Sequence, residues 1–479
     1  MSSLVSLRRA SLGAALLLAL GHAPAHAGEA RLDGLAADTA FDQFIVQYRP
    51  GSATAASGAA IDRGLARAAQ AVAPDARGVA PGAQRVRRLG IGADVVRTSR
   101  ALDRVEAAQL MRRLAADPDV AFVEVDGRLW PAMTPNDPLY ASQWHYAGLP
   151  AGIRTPNAWN LTAGVGVTVA VIDTGVAPHS DLNANIAPGY DFISDPVNAR
   201  DGNGRDANPN DEGDGTTFGS PCYALSPRNS SWHGTHVAGL IAARTGNALG
   251  VAGTAFGARV QPLRVSGPCG ATISDVADAL TWGSGGSVAG IPANATPSRV
   301  INLSLSAAGT CSIALQTALN GASARGSLVI VPAGNANAAI TGYQPANCTG
   351  VMVVAAVTNT GARAGFSNSG AGVALAAPGV GILSTLNSGT LNQGAENYGN
   401  YNGTSSAAPL VAGVAALVQG RRIALAQPPF TGSQLATHLR THVTAFPVAP
   451  DKPIGTGIVN AENAVNTAVP LVLAPAGTR

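Results

Sequence analysis

The sequence contains few aromatic and few charged residues. Aromatic residues make up 5% and charged residues 12% of the 479-residue chain, and Lys452 is its only lysine. The formal net charge is only +3, and the basic residues form no stripe along the chain, which argues against nucleic acid as a partner. Apolar residues make up 46% of the chain, which is ample for a large buried core.

The chain also lacks an apolar run of the ~20 residues that a membrane-spanning helix needs. Its N-terminal apolar run, Ala10–Leu20, follows Arg8 and Arg9 and precedes Ala25-His26-Ala27. A charged start, a short apolar run and a small-x-small site are typical of a bacterial signal peptide. We therefore predict a signal peptide over residues 1–27, export, and release as an extracellular protein without a membrane anchor.

Cysteine is scarce, and its four positions all follow residue 132. Export permits disulfides, and the spacing lacks the Cys-x-x-Cys pairs of a zinc site. Four cysteines allow three pairings, among which a sequence cannot choose. We expect two structural disulfides and favour the sequential pairing, Cys222 with Cys269 and Cys311 with Cys348.

Residues 28–132 have the pattern of a small α+β domain. Phe44–Tyr48 and Val120–Val125 are predicted strands, and Asp94–Arg97 suggests another. Asp103 and Glu106 form a capping-box pattern before a predicted helix over 104–116. The Ala/Gly-rich stretch 52–83 permits no assignment.

Residues 133–468 have a different sequence pattern, in which short, wholly apolar runs alternate with segments that are predicted to be helical. Such runs suit strands covered on both faces, and the alternation indicates an α/β fold with a mostly parallel central sheet between two helical layers. The predicted strands are 167–172, 300–305, 328–331 and 351–357, and the predicted helices are 233–244, 273–282, 312–324 and 405–419. Residues 469–479 read as a loose C-terminal tail.

Three segments carry residues suited to nucleophilic catalysis. Asp173 ends an apolar strand, where active sites of α/β sheets lie. His233 opens a helix, whose dipole favours the neutral ring. Ser405 follows a glycine turn, and Pro409 is expected in the first turn of the next helix, which leaves the Ser405 N–H free to donate to an oxyanion. Taken singly, Asp173 could instead be a turn former, and Ser405 could be a helix cap.

Together these segments closely resemble the subtilisin-like serine proteases, in which the order is Asp, His, Ser. The matching stretches are 172–176 with His179 and Asp181, then 233–239, then 403–409, and the likeness spans about 135–468. The resemblance implies that Asp173, His233 and Ser405 are the catalytic residues of an endopeptidase. It also implies the subtilisin-like three-layer α/β fold.

Further site residues follow from the same resemblance. Asn335, in Ala333-Gly334-Asn335, takes the place of the family's oxyanion-binding asparagine, and with His233 it argues against the related Ser-Glu-Asp acid peptidases. The family's two substrate-binding walls correspond to Ser304, Leu305 and Ser306 on one side and to Ala333 and Gly334 on the other.

The resemblance also implies partners. The expected substrates are proteins and peptides, and residues 28–132 would be a propeptide that assists folding and inhibits the enzyme until cleavage near Ala132–Thr134. Phe44–Tyr48 and Val120–Asp126 are expected as its outer strands. The mature enzyme is expected to be a monomer.

Calcium is the expected structural cofactor. By resemblance, Asp137, Asp181 and Asn247 correspond to family calcium ligands. A second candidate is the loop with Asp201, Asn203 and Asp206, because alternating oxygen ligands and glycines suit calcium. The alternative for this loop is a solvated polar segment.

Two alternative functions agree less well with the sequence. A catalytically inactive member that acts as a binding protein has no feature in its favour, because all four catalytic positions are filled. A lipase-like hydrolase would need Gly-x-Ser-x-Gly, whereas Ser405 lies in Gly403-Thr404-Ser405-Ser406-Ala407.

Overall fold

The computed structural model describes residues 27–36, 40–74, 78–127, 133–148, 150–222 and 227–468. The predicted signal peptide, apart from residue 27, and the predicted tail lie outside this part of the chain, as does Ala132 in the predicted cleavage region. The described residues divide into two compact units, the first over 27–127 and the second over 133–468. The assignment of residues 1–27 as a signal peptide, 28–132 as a propeptide and 133–468 as the peptidase domain remains a prediction from the sequence.

In its described residues, the first unit is a five-stranded sheet with two α-helices. The sheet has the order β1-β5-β2-β4-β3. The prediction of outer strands was wrong: β2 and β5 are interior, and the edges are β1 and β3. Helix α2 has the capping box that was predicted from Asp103 and Glu106. Helix α1 and strand β3 were not predicted. The elements are β1 (Glu29–Arg31), β2 (Phe41–Tyr48), α1 (Gly58–Gln70), β3 (Ala83–Arg88), β4 (Asp94–Leu102), α2 (Arg104–Ala115) and β5 (Val120–Val125).

The second unit is built on a sheet that has nine strands in the described part of the chain. Its order is β19-β20-β16-β15-β13-β11-β6-β8-β7, and every neighbouring pair is parallel except β19 with β20. This confirms the predicted fold class. The strands of the unit are β6 (Thr168–Asp173), β7 (Tyr190–Asp191), β8 (Arg259–Arg264), β9 (Ser266–Gly267), β10 (Gly270–Ala271), β11 (Val300–Leu303), β12 (Ala307–Ala308), β13 (Leu328–Pro332), β14 (Tyr343–Gln344), β15 (Val351–Val357), β16 (Val373–Pro378), β17 (Ile382–Asn387), β18 (Glu396–Tyr401), β19 (Val443–Thr444) and β20 (Ile458–Val459).

Two hydrophobic clusters flank this sheet. Neighbouring residues of one strand divide between them: Val169 and Val171 belong to one cluster, and Ala170 and Ile172 belong to the other. Both faces are therefore covered, which explains why the strands are apolar without alternation. The helices are α3 (Thr155–Trp159), α4 (Pro196–Ala199), α5 (His233–Ala242), α6 (Ile273–Gly283), α7 (Ile313–Ala324), α8 (Thr404–Ala424), α9 (Gly432–Thr441) and α10 (Ala461–Asn466).

Helix α8 lies in the centre of the second unit, and nearly all of its residues from Thr404 to Arg422 are buried. A helix that is apolar on all sides can pack only in an interior. It begins one residue before the predicted start, and Pro409 lies in its second turn, which corrects the prediction of the first. Proline cannot bond the carbonyl four residues earlier, and the carbonyl of Ser405 accepts a hydrogen bond from Ser304 Oγ instead, at 3.3 Å.

The second unit contains two disulfides, Cys222–Cys269 and Cys311–Cys348, which is the sequential pairing favoured from the sequence. No helix among the described residues is long and apolar enough to cross a membrane.

Candidate active site

Asp173 and His233 form a hydrogen-bonded pair at the carboxyl end of the central sheet. Asp173 is the last residue of β6 and is fully buried. His233 is the first residue of α5, and its Nδ1 lies 2.7 Å from Asp173 Oδ1 and 3.0 Å from Oδ2. With Nδ1 donating to the carboxylate, Nε2 of the neutral ring is free to accept a proton.

The turn that precedes His233 is held from two sides. Trp232 is buried and adopts a left-handed conformation (φ 49°), which is uncommon for a bulky residue and needs support. The carboxylate of Asp214 accepts hydrogen bonds from Ser231 N (2.5 Å) and Ser231 Oγ (2.9 Å). The hydroxyl of Tyr401 donates to the Ser231 carbonyl. These contacts fix the direction in which His233 leaves the turn.

Helix α5 is tied to the end of β6 through Thr174. The Thr174 hydroxyl accepts a hydrogen bond from Gly234 N (2.9 Å) and donates to Asp211 Oδ2 (2.6 Å). Asp211 is buried, and its burial raises the pKa of this carboxyl to about 7. The chain Gly234–Thr174–Asp211 therefore fixes the start of the helix relative to Asp173.

The environment of His233 favours its charged form. Burial lowers the pKa of His233, but the charge and hydrogen bond of Asp173 and the charges of Asp214 and Asp211 outweigh it, so the net pKa is raised. The same carboxylates stabilise the imidazolium that forms when the ring takes up a proton, and the raised pKa expresses this stabilisation. The same ring must be neutral before it can act as a base, so activity should fall on the acid side.

Ser405 and His233 line one cleft of about 380 Å³, here called the central cleft, together with Asn335, Gly334 and Asp214. Ser405 is the second residue of α8, so its backbone N–H has no partner within the helix. Gly403 leaves the space before it open: a Cβ at Gly403 would lie 2.9 Å from Ser405 Oγ and 3.5 Å from Asn335 Nδ2. Ser405 Oγ and Asn335 Nδ2 therefore lie beside the same open space next to Gly403.

The amide of Asn335 is oriented by Thr404. Asn335 Oδ1 accepts hydrogen bonds from the backbone N and the Oγ1 of Thr404, both at 2.9 Å. The same Oγ1 accepts a hydrogen bond from Gly334 N at 3.1 Å. With its oxygen engaged, the side chain has its Nδ2 donor directed away from Thr404, and it can bind an oxyanion.

The predicted substrate-binding residues are placed differently on the two sides. Ser304, Leu305, Ser306 and Gly334 line the central cleft. Ala333 does not fit the prediction of a cleft wall, because its side chain is fully buried in one of the core clusters. The wall on that side is formed by Gly334 and the residues after it.

A second, apolar pocket of about 300 Å³ adjoins the central cleft and shares Leu305, Ser306 and Ala307 with it. Its floor includes Val276 and Leu303, and Leu315, Ile273 and Pro345 complete the apolar lining. Such a pocket suits an aliphatic or aromatic side chain. The sequence did not predict this pocket, because α6, β11 and α7 bring its lining together from distant segments.

The side chains of Asp137 and Asp181 both contact the loop 246–251, which contains the third predicted calcium ligand, Asn247. Asp137 accepts hydrogen bonds from Gly246 N (2.8 Å), and Asp181 accepts them from Val251 N (3.0 Å) and Asn247 Nδ2 (2.8 Å). Both carboxylates are buried. Burial raises the pKa of Asp181, and the charge of Asp137 raises it further, against the opposing effect of the hydrogen bonds from Val251 and Asn247.

Neither Asp137 nor Asp181 has a Lys or Arg ion pair within the described residues. Carboxylate and amide oxygens are ligands of the kind that calcium binds, and in this structure the two carboxylates accept hydrogen bonds from N–H groups of the loop. The groups present therefore fit the expected ion. Within the described ranges, no group of three or more His, Cys, Asp or Glu side chains is arranged so that it could hold a metal ion.

The second predicted calcium loop has other partners. Asp201 Oδ2 lies 3.4 Å from the guanidinium of Arg264, and Asp206 accepts hydrogen bonds from Asn203 Nδ2 (3.2 Å) and Asn208 N (2.7 Å). Arg264 is buried and also pairs with Asp191 at 2.5 Å. Because a cation already lies beside Asp201 and the other oxygens bind within the loop, these residues fit calcium poorly.

Comparisons with known proteins agree with this geometry. The profile described as the subtilase family matches residues 164–457. The extracellular protease of Xanthomonas campestris pv. campestris is 51% identical over 460 residues, covering 96% of this chain and 78% of that protein. The extracellular basic protease of Dichelobacter nodosus is 44% identical over 389 residues, covering 80% and 64%. A solved protease of Pseudoalteromonas arctica has a TM-score of 0.68 and 47% identity, covering 70% of this chain and all of that one.

The parallel sheet between two helical layers, with an aspartate, a histidine and a serine at the carboxyl end, defines a subtilisin-like α/β protein. The chain belongs to the subtilase family, as the sequence motifs predicted.

Proposed function

We propose that this chain is a secreted serine endopeptidase that cleaves proteins through an acyl-enzyme on Ser405. The observation that carries the proposal is the 2.7 Å pair of His233 Nδ1 and Asp173 Oδ1 beside a cleft that Ser405 and Asn335 line. The names of the extracellular proteases from Xanthomonas and Dichelobacter support it.

In the proposed mechanism, His233 Nε2 takes the proton of Ser405 Oγ as this oxygen attacks the scissile carbonyl carbon. Asp173 holds the ring through Nδ1 and stabilises the imidazolium. His233 then returns the proton to the leaving amine, and the C–N bond breaks. Water, deprotonated by the same ring, hydrolyses the ester and regenerates Ser405.

The oxyanion would be bound by Asn335 Nδ2 and by the backbone N–H of Ser405. Both groups are fixed before substrate arrives, because Thr404 holds the amide and helix α8 holds the N–H. Donors that need no reorganisation stabilise developing charge most effectively.

The substrate chain would lie extended along Ser304–Ser306. Backbone pairing along such a segment tolerates many sequences. The apolar pocket beyond Leu305 and Ala307 would add a preference for an aliphatic or aromatic side chain.

We further propose that residues 1–27 direct export and that residues 28–132 act as a propeptide, removed by the enzyme itself near Ala132–Thr134. Calcium at Asp137, Asp181 and Asn247 would stabilise the mature fold by cancelling the repulsion of two buried carboxylates. It would take no part in the chemical step.

Casein cleavage by the wild type, Ser405→Ala and Ser406→Ala tests this proposal. Ser406 is adjacent and buried, so its alanine variant controls for disturbance of α8. We expect the wild type and Ser406→Ala to mature and cleave, and Ser405→Ala to do neither. A folded wild type that has lost residues 28–132 and cleaves nothing would contradict the proposal and favour a binding function.

A further inference from the structure

Asn368 is a fully buried asparagine on the loop that joins β15 to β16, and it lies outside the catalytic constellation described above. Its side chain makes three hydrogen bonds, all to the backbone of the segment 333–338. Nδ2 donates to the Ala333 carbonyl (3.0 Å), and Oδ1 accepts from Ala336 N (3.0 Å) and Ala338 N (2.9 Å).

The backbone of Asn368 adds a fourth bond to the same segment, because its N–H donates to the Gly334 carbonyl at 2.9 Å. The bonded groups lie on both sides of Asn335 in the chain. The turn around Asn335 is therefore built on Asn368.

Gly334 shows how closely the two loops approach. Gly334 has a φ of +100°, and a Cβ at this position would lie 2.4 Å from Asn368 Nδ2. The glycine is thus required both by its backbone conformation and by the amide beneath it. Thr404 holds the side-chain oxygen of Asn335 and, through its Oγ1, the backbone N–H of Gly334. Asn368 bonds the backbone on both sides of Asn335, so the course of the turn depends on these bonds as well.

We propose that Asn368 is a positioning residue for the oxyanion donor: it sets the backbone from which Asn335 Nδ2 reaches the central cleft. This inference rests on the proposed function, because it assigns Asn368 an effect only through Asn335. Catalytic groups misplaced by about 1 Å can cost about 10²-fold in rate. Loss of the Asn368 bonds should therefore slow turnover without weakening substrate binding.

The test is a double-mutant cycle of Asn368→Ala and Asn335→Ala, with kcat and KM measured on a small chromogenic peptide. Active sites are counted by titration with a covalent serine-directed inhibitor, so that misfolded protein does not enter kcat. We expect Asn368→Ala to lower kcat between about 10-fold and 10²-fold, with KM within about twofold of the wild type. In the Asn335→Ala background the same substitution should change kcat by less than about twofold.

Two further variants separate positioning from stability. Asn368→Asp keeps the two acceptor bonds, which a carboxylate can accept, and loses the bond to Ala333. It provides a folded alternative if the alanine variant fails to mature, and it should also lower kcat. Asn460→Ala removes another buried asparagine that caps α10, and it should lower the thermal midpoint while leaving kcat unchanged.

Equal losses in both backgrounds would overturn the inference, because Asn368 would then act independently of Asn335. So would an unchanged kcat in Asn368→Ala and Asn368→Asp at full active-site titre. If Asn335→Ala itself retained wild-type turnover, the oxyanion assignment in the proposed function would fail first, and the role of Asn368 with it.

Discussion

Asp214 accepts two hydrogen bonds from Ser231, at its backbone N (2.5 Å) and its Oγ (2.9 Å), two residues before His233. The carboxylate also lines the central cleft. Asp214 therefore acts on His233 in two ways: it supports the turn that carries the ring, and its charge contributes to the raised pKa of the imidazole.

Asp214→Asn separates these two effects. The amide can keep the hydrogen bonds to Ser231 but carries no charge, so the pKa of His233 should fall. Because His233 must be neutral to act as a base, the acid limb of kcat/KM against pH should move to lower pH. Glu462→Gln, on α10, is the control and should leave the limb in place. A limb that stays or moves to higher pH in Asp214→Asn would contradict the electrostatic account.

Asn335→Ala should lower kcat by about 10²–10³-fold, a range established on a subtilisin, with KM almost unchanged. The physical reason is that an amide donor acts on charge that exists only in the transition state. Steady-state kinetics on a chromogenic peptide measure both parameters. Asn337→Ala, two residues further on, is the matched control. A loss confined to KM would mean that Asn335 binds substrate rather than the oxyanion.

Val276→Tyr should fill the apolar pocket and change specificity. Peptides whose aromatic or leucyl side chain reaches this pocket should lose about 10-fold or more in kcat/KM, since each buried methylene contributes about 0.8 kcal/mol. Peptides with alanine at that position should be little affected. A peptide library cleaved by both enzymes provides the comparison, and equal losses for all peptides would show that the pocket does not bind substrate.

Asp181→Asn should have opposite effects with and without calcium. In EDTA the variant should be at least as stable as the wild type, because the repulsion between Asp137 and Asp181 is gone. At calcium a hundredfold above Kd, the wild type should gain about 2.7 kcal/mol and the variant much less. Thermal melts on a Ser405→Ala background avoid self-digestion. Asp206→Asn, from the loop that fits calcium poorly, should respond to calcium as the wild type does; a loss of the response there instead would place the ion in the other loop.

His145→Phe should make the peptidase unit less sensitive to acid. Burial, with the nearby His236, lowers the pKa of His145 to about 3, and neither ring nitrogen has a hydrogen-bond partner in the described structure. The folded state therefore resists a proton that the unfolded state accepts, and stability falls as the pH drops from about 6.5 towards 3, by up to about 1.4 kcal/mol per pH unit. Unfolding measured across this range should show a shallower fall for the variant. His442→Gln, at a partly exposed histidine, is the control, and identical slopes for wild type and His145→Phe would refute the prediction.

The parallel sheet of the second unit could be predicted from the sequence, because strands that are buried on both faces consist of continuous apolar runs. The run Val351–Val357 was predicted to the residue, and β6 was displaced by one. Two elements of the first unit were missed. In α1 the buried residues Ile61, Leu65 and Ala68 follow helical spacing, but the segment is dominated by alanine and glycine. Strand β3 is rich in arginine and has no buried residue. Strand order was also not predicted from the sequence. Strand β5 lies inside the sheet because β1 pairs with its outer side, and this pairing joins residues far apart in the chain, such as Glu29 and Phe122. Strand β2 lies inside because β4 pairs with its other side.

The sequence by itself was enough to propose the catalytic residues. Asp173, His233 and Ser405 lie at a strand end or a helix start, Asn335 lies in the loop after β13, and all four belong to recognisable motifs. The tertiary structure alone decided what orients them. Asp214, Thr404 and Asn368 each form several hydrogen bonds to residues distant in the chain, and such bonds produce no periodic or compositional pattern in the sequence. The same holds for calcium: only the fold could bring Asp137 and Asp181 to one loop and place Arg264 beside Asp201, because the net charge around a carboxylate depends on which distant side chains pack against it.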